Sequence, residues 1–112
     1  MKNQSFNTSL LSFLKASPTP FHATTSMKTA LIEKGFVELK ENLDWDISVG
    51  GKYFVCRNAS SIIAFTTPTL NFQQTGWRMV GAHTDSPCLK LKPNAHVKRH
   101  GYEQLGVEVY GG

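Results

Sequence analysis

The chain has 112 residues, of which 40% are hydrophobic, 11% aromatic and 18% charged, and its formal net charge is +4. That length is room for one small domain, and the aromatic content argues against disorder because rings bury surface. No run approaches the ~18 apolar residues of a membrane-spanning helix. The opening Met1-Lys2-Asn3-Gln4-Ser5 has no apolar stretch behind its lysine, so it lacks the pattern of a secretory signal.

From the N-terminus, Phe6, Leu10, Leu11, Phe13 and Leu14 recur at helical spacing and predict a helix over residues 5–16. The prolines of Ser17-Pro18-Thr19-Pro20 end it. A second helix follows, with Thr19 as N-cap and Pro20 at the first helical position. It runs to Lys34, and Gly35 suits a left-handed C-terminal cap. Residues 52–57 and 61–66 predict two strands joined by a hairpin loop at Asn58-Ala59-Ser60, with Gly50-Gly51 as the turn ahead of them. Residues 68–76 predict a polar loop. Residues 77–82 (Trp77-Arg78-Met79-Val80-Gly81-Ala82) predict a central, buried strand because they are more apolar.

After Pro93 apolar content falls and glycines become frequent, which places a domain boundary there, between 1–93 and 94–112. Residues 105–110 predict one further strand. Helices followed by several strands imply an α/β protein. The chain stops at Gly111-Gly112 directly after a strand pattern, with no closing element, as expected of a chain cut from a longer one.

The stretch richest in chemistry is Gly81-Ala82-His83-Thr84-Asp85-Ser86-Pro87, placed at the end of the predicted central strand. In open α/β sheets the carboxyl ends of strands are where sites are built. His83 can offer an imidazole nitrogen to a metal, and Asp85 is near enough to take the other ring N–H, which fixes the tautomer. The same pattern also describes a loop histidine with Asp85 capping a turn. Catalytic zinc takes three protein ligands and a water, so this pair does not complete a site.

His96 and His100 would share a face only if residues 94–100 were helical, and Lys98 and Arg99 beside them disfavour a cation; an exposed basic loop is the alternative. His22 reads as structural. Cys88 lacks an identifiable base, Ser86 lacks a glycine-flanked elbow, and there is no phosphate-cradling glycine loop. Lys90, Lys92, Lys98 and Arg99 form one basic segment without an acid, either a patch for nucleic acid or an acidic partner, or a solvated surface. No nucleic-acid-binding motif supports the former. Cys56 and Cys88 read as free thiols in a reducing compartment.

Residues 81–93 (Gly81-Ala82-His83-Thr84-Asp85-Ser86-Pro87-Cys88-Leu89-Lys90-Leu91-Lys92-Pro93) resemble the first metal-ligand motif of the aspartyl aminopeptidases, which are two-zinc exopeptidases. Ser17-Pro18-Thr19-Pro20-Phe21-His22-Ala23, the segments Lys52-Tyr53-Phe54, Arg57-Asn58 and Ser61-Ile62-Ile63-Ala64-Phe65, and Leu105-Gly106-Val107-Glu108-Val109-Tyr110-Gly111-Gly112 resemble further stretches of that family in the same order.

The resemblance implies that His83 is a zinc ligand and that Asp85 is the carboxylate supporting it, the catalytic contribution of this stretch. The other zinc ligands and the general base would lie downstream. It further implies the N-terminal part of an α/β/α sandwich catalytic domain, with residues 94–112 beginning an inserted, β-rich dimerisation domain. The implied protein is a cytoplasmic homo-oligomer that removes N-terminal Asp or Glu from peptides, with neither nucleic acid nor membrane as partner. The 112-residue chain alone is expected to be inactive. The competing expectation is a small basic binding module without catalysis.

Overall fold

The computed structural model describes residues 2–68 and 71–111. Thr69 and Leu70, part of the loop expected over 68–76, and the final Gly112 lie outside the described residues. Helix α1 spans Lys2–Ala16 and α2 spans Pro20–Glu33. Thr19 takes the extended N-cap conformation, and its hydroxyl accepts the His22 N–H. Gly35 ends α2 with φ +79°, in the left-handed region. Both helix ends are therefore where capping chemistry puts them.

A three-stranded sheet follows, with β1 (Val37–Glu38), β2 (Gly51–Arg57) and β3 (Ser61–Thr67) in that order. β1 runs parallel to β2, and β2 pairs antiparallel with β3 from Gly51↔Thr67 to Arg57↔Ser61. The connection at 58–60 is the expected hairpin turn, with Asn58 and Ala59 at positive φ. The parallel β1 went unpredicted; at two residues it has no periodicity to read.

The core lies where α2 packs on this sheet. Among the described residues, Ala23 of α2 and Tyr53, Phe54 and Val55 of β2 are the buried apolar ones, and Phe54 is fully enclosed. Thr67 is also fully buried, with its hydroxyl donating to the Ser48 carbonyl at 2.6 Å. The Tyr53 ring folds back over Gly51, where a Cβ would lie 2.3 Å from a ring carbon, and its hydroxyl accepts the Ser48 N–H at 3.0 Å. Glycine at 51 makes that approach possible. Lys28 of α2 reaches Glu38 of β1 at 2.9 Å, and Lys40 approaches the same carboxylate at 3.1 Å.

Around Tyr53 an aromatic cluster forms: Phe65 meets Tyr53 at 5.6 Å and Trp45 at 6.3 Å between ring centroids. It also meets Trp77 edge-on at 5.7 Å, and Trp77 stacks on Phe72 at 5.0 Å. Phe72 belongs to α3 (Phe72–Thr75), a single turn inside the expected loop.

Two expectations fail beyond this core. Residues 77–82 do not form a strand, and Met79 and Val80 are 88% and 102% exposed. A buried central strand needs a hydrogen-bonded neighbour and cover on its faces. Among the described residues, nothing supplies either for this run. Residues 94–99, read as part of a helical turn or an exposed basic loop, instead belong to strand β4 (Cys88–Arg99), paired antiparallel with β5 (Tyr102–Tyr110). The compositional change at Pro93 falls inside β4, where the pairing register shifts between Leu91 and His96. The fifth strand starts at Tyr102, earlier than the expected 105. The α/β class is as expected.

Candidate metal-ligand loop

Residues 81–87 are held by three tethers. Trp77, just upstream, is locked by its ring contacts with Phe65 and Phe72. The Thr84 hydroxyl donates to the Ser60 carbonyl in the β2–β3 turn at 2.9 Å. Downstream, Pro87 leads into β4 and is crossed by the end of β5. Gly111 sits there at φ +83°, and a Cβ would come 2.9 Å from the Pro87 Cα. An L side chain is thus excluded at 111 by both backbone conformation and space.

His83 and Asp85 are brought together as the sequence suggested. The imidazole Nδ1 lies 2.7 Å from the main-chain carbonyl oxygen of Asp85 and 3.1 Å from its Oδ1. A carbonyl oxygen can only accept, so Nδ1 carries the proton and donates. In the neutral tautomer the lone pair is then on Nε2, which has no hydrogen-bond partner among the described residues. The side chain is 77% exposed. An imidazole tethered through Nδ1 with a bare Nε2 is the form in which histidine binds a metal.

The second oxygen of Asp85, Oδ2, accepts the Tyr110 hydroxyl at 3.1 Å. That bond, then the main-chain N–H of Asp85 and the His83 ring, hold the carboxyl below its ordinary value, so it stays a carboxylate. The same contact raises the Tyr110 phenol. Sequence reasoning missed the contacts that Thr84 and Tyr110 make to hold this loop. Each reaches a partner 24 or 25 positions away, beyond any local pattern. The glycine after the β5 pattern was the one available sign of a close backbone approach.

The remaining candidates lie elsewhere. His96 is on β4, bonded to Glu103 of β5, and His100 is in the β4–β5 turn at positive φ, so the two do not share a helical face. His22 is exposed, with Nδ1 2.8 Å from the Thr19 hydroxyl, so it completes the α2 cap and is structural without being packed. Cys56 and Cys88 are free, and burial pushes the Cys56 thiol up. Among the basic residues, Lys98 is paired with Glu103 at 2.7 Å, and Lys90 stands 5.1 Å over the Tyr110 ring, opposite Glu108 in the ladder. These partners weaken the reading of the segment as a free cationic patch. Among the described residues, no group of three or more His, Cys, Asp or Glu side chains could hold a metal. None of the helices there is long and apolar enough to cross a membrane.

Fold and loop together define an α/β chain in which one exposed imidazole is tethered through Nδ1. The profile of the family described as Aminopeptidase I zinc metalloprotease (M18) matches residues 13–112. A probable M18 family aminopeptidase 2 of Pseudomonas putida is 56% identical over 110 residues, covering 95% of this chain and 25% of the relative. An M18 aminopeptidase structure from Thermotoga maritima superposes with a TM-score of 0.78 at 25% identity, over 97% of this chain and 23% of that one. The mApe1 dodecamer of S. cerevisiae gives 0.74 at 26% identity, over all of this chain and 26% of that one. The chain therefore belongs to the M18 family of zinc metalloproteases, and it spans about a quarter of the length of the curated relatives it matches.

Proposed function

We propose that the chain contributes one zinc ligand, His83, and its supporting carboxylate, Asp85, to a zinc aminopeptidase that removes N-terminal Asp or Glu from peptides. The observation that carries this reading is the tethered ring: Nδ1 is engaged by Asp85, and Nε2 is free. The donor set fits zinc, which accepts imidazole nitrogen and is oriented through the ligand's far N–H. Zinc, when bound, supplies a Lewis acid that polarises the peptide carbonyl and acidifies water.

The chain's own residues present the imidazole and keep it in one tautomer. Asp85 keeps a negative charge behind the ring and so raises its basicity as a donor. On the same reading residues 1–93 are the N-terminal part of an α/β/α sandwich catalytic domain, and 94–112 begin an inserted dimerisation domain. The two-zinc count and the remaining ligands belong to the rest of such an enzyme, as does the general base. A homo-oligomer is supported by the likeness to the solved dodecamer. A cytoplasmic setting suits the free Cys56 and Cys88.

The test is peptide hydrolysis by the longer M18 protein carrying this segment, before and after zinc is removed by a chelator. The substrates are peptides beginning with Asp, Glu, Leu or Lys. The expected result is zinc-dependent release, fastest for Asp and Glu, and no turnover by the 112-residue chain alone. Undiminished turnover after zinc removal would overturn the zinc reading. Equal rates on all four peptides would overturn the acidic preference.

A further inference from the structure

We infer that Tyr110 is a positioning residue for the zinc ligand: its hydroxyl fixes the orientation in which the Asp85 carboxylate faces the His83 ring. This rests on the reading of His83 as a ligand. The Asp85 carboxylate is gripped at both oxygens, with Oδ2 accepting from Tyr110 at 3.1 Å and Oδ1 lying 3.1 Å from His83 Nδ1. With only the histidine contact and the carboxyl's own main-chain N–H, Oδ2 would lack a partner from outside the loop, and the terminal torsion is broad and weakly restrained. The phenol on the far oxygen removes that freedom, so the charge behind the ring stays in line with Nδ1.

Tyr110 is itself placed by contacts that do not involve the hydroxyl. It pairs with Cys88 at the first position of the β4–β5 ladder. Its ring lies under the Lys90 ammonium. The neighbouring Gly111 is seated directly against Pro87, two residues beyond Asp85. The end of the ribbon is thus clamped onto the loop that carries the ligand, and the hydroxyl is the one atom of Tyr110 that reaches the carboxylate. Partners of this kind behind a ligating histidine typically change metal affinity by about 10–100-fold.

The discriminating variants are Tyr110→Phe and His83→Ala, made in the longer M18 protein that carries this segment. Zinc affinity is read by competition with a chromophoric chelator, and the melting temperature is read on the zinc-free protein. The kcat and KM are measured separately. Tyr110→Phe keeps the ring and its Lys90 contact, so the zinc-free melting temperature should not move. Zinc affinity should fall about 10-fold or more, and kcat should fall with KM unchanged. An unchanged zinc affinity would overturn the inference, and so would an affinity loss accompanied by a matching loss of zinc-free stability. If His83→Ala loses zinc while Tyr110→Phe does not, only the role of Tyr110 falls. If His83→Ala retains its zinc, the ligand reading falls first.

Discussion

The helix–hairpin half of the chain and the ribbon half differ in where their stabilising partners lie. In residues 17–67 each element finds its complement nearby: Thr19 caps α2, β2 pairs with β3 across a three-residue turn, α2 packs on β3, and Phe54 of β2 is fully buried. In residues 77–111 the large apolar side chains of the β4–β5 ribbon, including Leu89, Leu91, Val107 and Val109, are exposed. The ribbon's ladder is complete at its ends, but no layer covers either face among the described residues. A two-stranded hairpin without cover is marginal by itself. The difference teaches that local pattern fixes local structure, whereas burial needs a partner surface.

The largest expected effect separates the two halves directly. Phe54→Ala in the 112-residue chain should cost about 3–5 kcal/mol, the range for deleting a fully buried ring. Leu91→Ala, on the exposed ribbon, should change stability by less than about 0.5 kcal/mol. Denaturant midpoints of the two variants check this, and equal losses would break the comparison.

Asp85→Asn comes next, measured as zinc affinity in the longer enzyme. The loss should be about 10–100-fold, smaller than for removing the ligand. The Asp85 main-chain carbonyl still accepts from Nδ1 and still favours the metal-binding tautomer. A loss equal to that of His83→Ala would show that the side-chain charge, not the carbonyl, sets the ring.

The smallest effect concerns the tie between α2 and β1. Lys28, then Lys40, hold the Glu38 carboxyl below its ordinary value of 4.5. A lowered folded-state value contributes stability above the unfolded value and loses it as pH falls through the folded one. The pairs are partly exposed, so the contribution should stay below about 1 kcal/mol. Lys28→Met should therefore be slightly less stable than the parent at neutral pH, with the gap closing in acid. A gap that widened in acid would reverse the assignment.

What the sequence disclosed follows the same division. Caps and the hairpin were legible because a Thr-Pro start, a terminal glycine and a short polar turn act within a few residues. The ribbon strand at 88–99 was not read, because its basic residues drew attention as a charged segment and Pro93 as a boundary, although Leu89-Lys90-Leu91-Lys92 alternates as a strand does. Residues 77–82 were misread because an apolar run signals the burial a strand receives, not the presence of the strands that would provide it. At the loop, His83 and Asp85 were legible through their spacing. Tyr110 was not, since 25 residues and a hairpin separate it from Asp85.

The most direct test of the account is bound zinc per protomer in the longer M18 enzyme, measured by elemental analysis for the parent, His83→Ala and His22→Ala. His22 belongs to the α2 cap, so its variant should keep the parental zinc content. His83→Ala should lose bound zinc and nearly all turnover. Full zinc occupancy with normal turnover in His83→Ala would contradict the assignment of His83 as a metal ligand.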